Sequence, residues 1–593
     1  MNDELRKKEG YVPLFFFYTA IVESPATHQR WWALAATAAL IALPFVAFWG
    51  ALAQGFAPID DLFLVVQNLA TRGPTWDHLK IAFTTFDPEL YIPLTLVSFQ
   101  INYLVSGLVP WSYHLMNILL HCANAILLFS ILKRVSGAPR ASLFAAAVFA
   151  VHPINTEAVV WITARKDLLS TFFAFASTLA FLRQTRRGRA MSLVLFLCAL
   201  FAKVSVAPLP LVFPLLLGIQ GKKWNRNLIL STLPFLLLSA VFVGIALFGK
   251  ERIVQTSNGI ETFLLAPWSM LFLIGKFFYP GNFSPLYEVT DAIALSNPKV
   301  LFSILGLFGL FGILQWKSLR PLPLTQALTV ALLLFAPAIL TFFKANTVFL
   351  ASDRYFYLPS LGVLLFIVLC IRNIGVKIRP PKQMITGVSA FVIAVLCLLS
   401  IKQTKLWGSP DALFTQALAM NPRSVAARTA LAQTKLERGD PQEAFAVLKE
   451  GLKQGDDVRL YLMAGTIYAR VGQIDDALAQ FTKVTQMEPG NADAWFSIGS
   501  LQEQTGNADA ALDHYRAAVQ LDPSDVPAII GIGRILADKG DLQGAEEKFR
   551  AALKWNSNSA DAHRGLAPVL AKTGRVDEAE IHRNLANELA GLR

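Results

Sequence analysis

The sequence predicts an all-α protein in two parts, a polytopic helical bundle in a membrane followed by an α-helical solenoid. Hydrophobic residues make up 54% of the 593 residues. Apolar runs of about twenty residues, the length of a membrane-crossing helix, recur from Trp32 to Ile401. After Ser409 no such run occurs and charged residues are dense. We therefore divide the chain into an N-terminal segment (1–30), a membrane domain (31–402) and a repeat domain (409–593).

The N-terminal segment is apolar from Val12 to Val22, a stretch too short to cross a bilayer. We expect it to lie along the cytoplasmic surface of the membrane rather than to act as a cleaved signal.

The apolar runs of the membrane domain predict about eleven crossings. They fall near 32–53, 112–132, 141–161, 167–183, a split pair within 190–219, 228–248, 299–316, 323–343, 355–371 and 384–401. Pro267 to Tyr279 is also apolar, but Lys276 and Pro280 fit an interfacial or re-entrant helix better than a full span. If this segment crossed the membrane, the predicted topology would instead place the repeats on the cytoplasmic side.

The membrane part carries the basic charge of the chain, 33 Lys and Arg against 16 Asp and Glu. These cations gather at the N-terminus and in the connections 133–140, 183–189, 222–226, 317–320 and 372–382. Lys and Arg sort to cytoplasmic loops, so the charge indicates orientation in membrane lipid and gives no reason to expect a nucleic-acid partner. One topology satisfies all of these loops, with the first long loop (54–111) and the repeats outside.

The repeat domain shows a period of 33 to 34 residues. Glycines recur at Gly439, Gly472, Gly506, Gly540 and Gly574, and alanines five residues further on keep the same steps. This is the period of tetratricopeptide repeats, pairs of helices that stack into a superhelix. The concave face of such arrays commonly binds extended peptide, and the alternative is a scaffold that only packs on the membrane domain.

Two adjacent carboxylates, Asp60 and Asp61, follow the first span. This position puts an acid pair at the membrane surface, where a lipid-borne and a water-borne substrate can meet. A carboxylate there can accept the proton of a hydroxyl nucleophile. The alternative is that one of the two caps a helix over Leu62 to Ala70.

Further polar residues concentrate on the predicted outer side. His114, Asn117, His121 and Asn124 form one helical stripe, which we interpret as helix–helix hydrogen bonding, with His114 at the outer end as the member that can reach a ligand. His152, Glu157 and Arg165 straddle an outer turn, Asp353 and Arg354 open a later span, and Lys203 lies at the turn of the split pair. Arg165 and Arg354, and Lys203 less directly, are candidates for binding a lipid phosphate, with structural ion pairs or snorkelling as the alternative.

Several stretches resemble a known family. They are Tyr91 to His121, Phe149 to Leu169 (FAVHPINTEAVVWITARKDLL), the Asp60-Asp61 pair and Asp353 to Ser360 (DRYFYLPS), followed by the repeats. Together they resemble the transmembrane and tetratricopeptide-repeat-containing O-mannosyltransferases, of the C-type superfamily of membrane glycosyltransferases. The chain departs from that family at Ile92, where an Arg is usual, and at Lys203-Val204, where Lys-Glu is usual. The single glycosylation sequon, at Asn282 and followed by Pro285, and the short repeat array favour a bacterial relative in the inner (plasma) membrane.

The resemblance implies a transferase that moves mannose or another hexose from a polyprenyl-phosphate-linked donor to Ser or Thr hydroxyls of an acceptor protein or peptide, with inversion. Asp60 would be the base and Asp61 an acceptor orienter or metal ligand. Tyr91, His114, His152, Glu157 and Asp353 are candidates for substrate binding. No cofactor is assigned. A divalent metal stays open, because the sequence offers no closed ligand set.

Three other interpretations stay open. A transferase that modifies a surface polysaccharide or glycolipid would keep the acid pair and the cations. A non-enzymatic scaffold would use only the repeats, and gives no reason to place acids and cations on one membrane face. A transporter is compatible with the span count, but no paired inverted halves are visible.

Overall fold

The computed structural model describes residues 25–86, 90–250, 259–315, 322–344, 347–378 and 381–590. The apolar stretch at Val12 to Val22 and the basic run 317–320 lie outside these ranges. Within them the chain is almost entirely helical, as the sequence predicts.

The membrane domain contains fifteen helices within the described ranges. They are α1 (Pro25–Phe48), α2 (Trp76–Thr84), α3 (Pro93–Ser106), α4 (Trp111–Ser136), α5 (Pro139–Val151), α6 (Thr156–Val160), α7 (Arg165–Phe181), α8 (Arg186–Ala202), α9 (Leu209–Ile219), α10 (Arg226–Lys250), α11 (Gly259–Phe278), α12 (Pro298–Gln315), α13 (Leu322–Phe335), α14 (Ser360–Ile378) and α15 (Lys382–Trp407). Two short antiparallel strands, β1 (Phe343–Lys344) and β2 (Thr347–Val348), pair in a hairpin before α14.

Six helices of the described chain are long and apolar enough to cross a membrane, and the bent pair Pro139–Val151 and Pro153–Val160 makes a seventh if it counts as one span. Three shorter apolar helices accompany them, at Val204–Ile219, Pro298–Leu310 and Ser360–Ile374. Every predicted crossing coincides with helical structure. The multi-pass helical fold is confirmed, whereas the count of about eleven spans stays a prediction, because several helices are short.

Those basic connections that the structure describes meet at one end of the bundle. Arg134 Nη2 donates to the carbonyl of Leu182 at 3.0 Å, and Gln220 Nε2 donates to the carbonyl of Arg134 at 3.0 Å. Arg372 Nη1 donates to the carbonyl of Ser136 at 2.9 Å. We call this end the basic face. The opposite end, which carries the acid pair, is called the site face.

Helix α11 satisfies the length and hydropathy of a span, yet its contacts follow the site face. Phe277, at its end, accepts a hydrogen bond from His152 through its carbonyl at 2.9 Å. Trp268, nine residues earlier, lies under the Lys299 ammonium at the start of α12, 5.7 Å from Nζ to the ring centre. If α11 ran perpendicular to the membrane plane, Trp268 would lie about 14 Å deeper in the membrane than Phe277. These contacts favour the interfacial placement that the sequence predicts.

The polar stripe of α4 is structural at three of its four positions. Asn117 Nδ2 donates to the carbonyl of Trp161 at 3.2 Å, and His121 Nδ1 lies 2.7 Å from the Tyr357 hydroxyl. Asn124 Nδ2 donates to the same hydroxyl at 3.1 Å. The stripe therefore binds α4 to α14 and to the turn before α7, because buried polar groups need partners inside the bundle.

The repeat domain is a stack of antiparallel helix pairs preceded by a single helix. Its helices are α16 (Pro410–Met420), α17 (Val425–Glu437), α18 (Pro441–Leu452), α19 (Val458–Arg470), α20 (Ile474–Met487), α21 (Ala492–Gln504), α22 (Ala508–Leu521), α23 (Val526–Asp538), α24 (Leu542–Trp555), α25 (Ala560–Lys572) and α26 (Val576–Leu589). The periodic glycines take positive φ, +77° to +85°, at the turn within each pair. Small residues allow the close packing: a Cβ on Gly499 would lie 2.8 Å from the Tyr515 ring.

The repeats and the acid pair share one face of the membrane domain. Helix α16 follows α15 directly, and Gln416 Nε2 donates to the carbonyl of Phe283 at 2.6 Å. Asn421 Nδ2 donates to the carbonyl of Glu288 at 3.1 Å. Both carbonyls lie in the site-face loop between α11 and α12, so the repeats begin on the same face of the membrane domain as the carboxylates.

Candidate functional site

Asp61 is the buried member of the acid pair, 1% exposed. Its Oδ2 accepts from the backbone N–H of Ala57 at 2.8 Å, and its Oδ1 accepts from the N–H of Thr163 at 2.9 Å. Burial raises the pKa of Asp61 to about 6, against the effect of these hydrogen bonds. The side chain does not cap the single turn Leu62–Val66 that follows. Asp61 therefore joins the first site-face loop to the turn before α7.

Asp60 is the available member. It is half-buried, and within the described chain its carboxylate makes no hydrogen bond or ion pair. Its carboxylate lies within electrostatic range of Lys166 and of Arg354, and we take the space between these groups as the candidate site. An accessible carboxylate without a fixed partner is the arrangement that a general base needs.

Glu157 and Arg354 form a buried ion pair beside this space. Arg354 Nη1 pairs with Glu157 Oε1, and the same carboxylate accepts from Ser352 Oγ at 2.6 Å and from the Arg354 N–H at 3.1 Å. The guanidinium stacks on Trp161, 4.6 Å from the ring centre. Arg354 Nε is buried without a partner in the described residues. Arg354 is thus oriented by Glu157 and keeps a free donor.

A second ion pair, Lys203 with Asp167, lies close by. Lys203 Nζ is 2.6 Å from Asp167 Oδ1, while Asp167 Oδ2 is buried and has no partner among the residues described. Lys203 also lies over the Tyr355 ring, at 5.8 Å. The competing prediction for Lys203 was that its side chain snorkels to the membrane interface. Instead, Asp167 holds the Lys203 ammonium at the site face.

Lys166 is a site residue that the sequence analysis missed. It is 5% exposed, and its charge interacts with Asp60, Lys203, Arg354 and Asp167. Nevertheless, no hydrogen bond or ion pair to its ammonium is found in the part of the chain that the structure describes. A buried cation without a bound anion is costly, which points to an anionic ligand. The only signal in the sequence was its place in the run Arg165-Lys166-Asp167.

Arg165 is not brought to this space. Its side chain is fully buried, Nε donates to Asn117 Oδ1 at 2.8 Å and Nη2 to the carbonyl of Tyr113 at 2.6 Å. Nη1 donates to Asn102 Oδ1, and the guanidinium stacks on Phe99 at 4.5 Å. All of these donors are engaged by α3 and α4. Arg165 is therefore placed to hold the bundle together, whereas the sequence predicted that it binds a lipid phosphate.

The remaining candidates surround the site at different distances. Asp353 accepts from the Tyr287 hydroxyl at 2.9 Å and 3.2 Å, and burial together with the nearby Glu157 charge raises its pKa well above the usual range. His152 is engaged through both ring nitrogens, by Phe277 and by the N–H of Ile154.

Two further candidates differ in their surroundings. The His114 ring is buried beside the backbone of Gly55 and Val160. Tyr91 donates to the carbonyl of Phe83 at 3.1 Å and packs in an aromatic cluster with Phe201. His114 therefore lies beneath the acid-pair loop, whereas Tyr91 lies at the edge toward α8.

A small cavity opens between the two ion pairs. Asp167, Lys203, Arg354 and Tyr355 line its polar side. The apolar side is lined by Leu334 of α13, by Pro337 and Ala338 after it, and by Leu358 and Pro359 before α14. Its volume is about 60 Å³, below the roughly 300–1,000 Å³ typical of sites for small molecules. The cavity therefore suits a charged head group better than a whole substrate. Among the described residues, no group of three or more His, Cys, Asp or Glu is arranged to hold a metal ion.

Comparison with known proteins finds protein O-mannosyl-transferases over most of the chain. Human protein O-mannosyl-transferase TMTC4 is 25% identical over 470 residues, 65% of this chain and 62% of that protein. Human TMTC3 is 23% identical over 511 residues, 76% of this chain and 55% of that protein. The Xenopus laevis tmtc2 protein is 31% identical over 263 residues, 41% of this chain and 29% of that protein. The chain thus has protein O-mannosyl-transferases as homologues, which confirms the resemblance, and it spans about 55–62% of the length of the two human relatives.

The repeat domain matches models of the tetratricopeptide repeat at residues 412–465, 462–526 and 536–582. Among solved structures, the repeats are similar to YrrB, described as a tetratricopeptide-repeat protein with an unusual peptide-binding site. That match has 22% identity, a TM-score of 0.24, and covers 30% of this chain and 91% of that one. MamA gives 22% identity and a TM-score of 0.24, covering 27% and 95%. The repeats are therefore tetratricopeptide repeats, as their period predicts.

Proposed function

We propose that this protein is an inverting membrane glycosyltransferase that moves mannose, or another hexose, from a polyprenyl-phosphate-linked donor to Ser or Thr hydroxyls of acceptor proteins. The homologues named protein O-mannosyl-transferase support the class of reaction. The observation that carries the site is the unpaired carboxylate of Asp60 within electrostatic range of Lys166, a residue only 5% exposed whose ammonium has no hydrogen-bond or ion-pair partner in the described residues.

The chemistry needs one base and a grip on the leaving group. The acceptor hydroxyl oxygen attacks the anomeric carbon of the sugar from the face opposite the phosphate, and Asp60 takes the hydroxyl proton as the new bond forms. The bond between the anomeric carbon and the phosphate oxygen breaks, and polyprenyl phosphate leaves with the electron pair. No general acid is required, because the charge that develops on the phosphate is stabilised by cations.

The cations around Asp60 are suited to that task. Lys166 has no competing anion in the described residues, Arg354 keeps Nε free, and Lys203 lies in the wall of the same small cavity. We assign Lys166 and Arg354 to the donor phosphate, with Lys203 as the more distant contributor. Glu157 orients Arg354 through its ion pair. Asp61 holds the loop that presents Asp60. We therefore assign Asp61 an orienting role and not the role of the base.

The orientation follows from the two faces of the bundle. Arg134, Arg372 and the ends of the neighbouring helices meet at the basic face, which we assign to the cytoplasm because Lys and Arg sort to that side. The acid pair and the repeats then lie on the outer, periplasmic side of an inner (plasma) membrane. The repeats would bind the acceptor there, and the lipid-linked donor would reach the cavity from the membrane.

The experiment is a transfer assay with the purified full chain in lipid nanodiscs, a polyprenyl-phosphate hexose and a linear peptide that contains Ser and Thr. We expect a hexose mass on the peptide with the intact chain and with Asp77→Asn, a control at an exposed acid of α2, but not with Asp60→Asn. Equal transfer by Asp60→Asn would exclude Asp60 as the base. Transfer to a glycolipid acceptor but not to the peptide would favour the alternative acceptor class, and no transfer to either would favour a scaffold.

A further inference from the structure

Arg354, one of the two cations assigned to the donor phosphate, rests on a pair of aromatic rings. Its guanidinium lies over the Trp161 ring, with Cζ 4.6 Å from the ring centre. The Trp161 ring in turn stacks with the Trp407 ring, at 5.9 Å between the ring centres and 27° between the planes. Both Trp residues are almost fully buried, 5% and 8% exposed. Trp407 is thus linked to Arg354 through one intervening ring.

The direction of the Trp161 ring is set by packing. A buried Trp usually finds a hydrogen-bond partner for its indole N–H, and that bond orients the ring. Trp161 Nε1 is buried without an acceptor among the described residues. The backbone of Trp161 is fixed, because its carbonyl accepts from Asn117 Nδ2 at 3.2 Å and its N–H donates to the carbonyl of Glu157 at 3.3 Å. The side chain, in contrast, depends on the rings and apolar groups around it, and Trp407 supplies the stacking surface.

The Trp161 ring controls the part of Arg354 that its ion pair leaves unrestrained. Glu157 holds one end of the guanidinium, through Nη1. A contact at one nitrogen fixes the position of that nitrogen, whereas an aromatic face fixes the plane of the whole group. The Tyr355 ring also contacts the guanidinium, 5.0 Å from Cζ, but it belongs to the next residue and moves with the same segment. The direction of the Arg354 Nε–H, which has no partner in the described residues, therefore depends on Trp161.

Trp407 belongs to the connection between the two domains. It is the last residue of α15, and two residues later Ser409 caps α16, with Oγ accepting from the N–H of Ala412 at 3.4 Å. The end of α15 is fixed to the loop before the acid pair, because Gln54 Nε2 donates to the carbonyl of Thr404 at 2.7 Å. The ring that supports Trp161 is therefore carried by the helix end that leads into the repeats.

We infer that Trp407 is a positioning residue for the donor phosphate: through Trp161 it sets the plane of the Arg354 guanidinium and the direction of its Nε–H. The inference rests on the proposed function and adds to its site a residue that touches no substrate. The phosphate contact is thus built partly from the helix that joins the membrane domain to the repeats. Loss of the Trp407 ring should weaken donor binding without removing any group that contacts the donor.

The test is the affinity of the full chain in nanodiscs for a short-chain polyprenyl phosphate. Trp407→Leu keeps an apolar side chain but removes the ring. We expect it to weaken binding about 2–10-fold, the factor that corresponds to the usual contribution of one aromatic pair. Trp407→Phe keeps a ring and should restore most of the affinity. Trp555→Leu, at an exposed Trp of α24, is the matched control and should bind as the intact chain does.

A double variant separates positioning from a general structural loss. Arg354→Gln removes the charge but keeps a donor for Glu157. If Trp407 acts through Arg354, adding Trp407→Leu to Arg354→Gln should cause no further loss of affinity, because residues that act through one contact are not additive. Losses that add, or a Trp407→Leu variant that binds as tightly as the intact chain, would overturn the inference.

Hydrogen exchange measures the position of Arg354 without a donor. The Arg354 N–H donates to Glu157 Oε2 at 3.1 Å. We expect this amide and its neighbours in 352–357 to exchange faster in Trp407→Leu than in Trp407→Phe, and equal exchange would also overturn the inference. Absence of polyprenyl phosphate binding by the intact chain would instead overturn the proposed function. In that case the exchange rates would still report whether Trp407 positions Arg354.

Discussion

Two buried polar regions of the membrane domain, built around the adjacent residues Arg165 and Lys166, differ in how their charges are paired. Around Arg165, Nε, Nη1 and Nη2 each donate to an oxygen of α3 or α4, and the guanidinium is stacked on an aromatic ring. Around Lys166, the neighbouring ammonium has no anion bound in the described chain. Arg354 Nε and Asp167 Oδ2 are buried without partners there.

This difference distinguishes residues that hold the helices together from residues that can bind a ligand. A buried charge whose hydrogen bonds are complete stabilises a single arrangement of helices and has nothing to offer a ligand. A buried charge with missing partners costs stability in the free protein, and that cost is recovered when a ligand of opposite charge binds. Arg165 belongs to the first class, whereas Lys166 and Arg354 belong to the second. Each substitution below changes either a residue that holds the helices together or a residue of the site, and leaves the other kind intact.

The largest effect is expected from Asp60→Asn, which removes the base without removing any hydrogen bond of the described residues. We expect kcat of transfer to fall about 10²–10⁴-fold, the usual contribution of general base catalysis, while thermal stability in detergent stays unchanged. Measurement of kcat and melting temperature on one preparation checks both. A loss of stability equal to that of Asp61→Asn would show that Asp60 is structural.

Arg165→Met tests the scaffold class. The substitution leaves the buried oxygens of Asn117, Asn102 and Tyr113 without their donor. We therefore expect the unfolding free energy to fall by about 4–9 kcal/mol, since three hydrogen bonds to a charged group contribute about 1.5–3 kcal/mol each. Denaturation in detergent measures the loss. Arg187→Met, at an exposed position of α8, is the control and should change stability little. Unchanged stability in Arg165→Met would place Arg165 with the site instead.

The stability of the acid-pair loop should depend on pH through Asp61. Its pKa is raised to about 6 in the folded protein from 3.8, so the contribution is fully present below pH 3.8 and is lost as pH rises through 6. The shift corresponds to about 3 kcal/mol at 1.36 kcal/mol per pH unit. Unfolding should therefore be easier at pH 7.5 than at pH 5. Asp61→Asn should lose this part of the pH dependence, and a variant with the same profile as the intact chain would refute the assignment.

The smallest effect concerns Glu288, whose carboxylate joins the site-face loop to Arg459 and Ser424 of the repeats. Glu288→Gln keeps the shape of the side chain but removes the charge that pairs with Arg459, and we expect a loss of about 1–3 kcal/mol in docking of the repeats. Hydrogen exchange over residues 421–470 should rise, while the site cavity keeps its protection. Asp291→Asn, which removes two solvent-exposed ion pairs of the same loop, with Lys299 and with Arg423 of the repeats, is the control and should have little effect.

Much of the fold could be predicted from the sequence because its signals are local. The 34-residue period identified the repeats, and the basic loops, which the structure brings together at one face, indicated one consistent orientation. The site was only partly predictable. Arg165 and Lys166 are adjacent in the chain, and on a helix their side chains diverge by about 100°. Only the packing of α3 and α4 determines that the first points into the scaffold and the second toward Asp60.

The contact between the later repeats and the acid-pair loop, made by Asn558 with Asn68 and Leu69, was not predictable either. Asn558 occupies the turn between two repeats, where Asn is an ordinary turn residue, and its contact with Asn68 joins positions 490 residues apart. No period or motif marks such a contact, because it depends on how much the superhelix curves before it meets the membrane domain.

The most direct test of the account is the affinity for a short-chain polyprenyl phosphate, measured with the full chain in nanodiscs for Lys166→Met and for the control Arg187→Met. A charge-assisted contact with a phosphate contributes at least about 1.4 kcal/mol, so Lys166→Met should weaken binding tenfold or more and leave thermal stability unchanged or increased. Arg187→Met should bind as the intact chain does. Equal affinity of the two variants, or a Lys166→Met protein that unfolds as readily as Arg165→Met, would contradict the separation of site from scaffold.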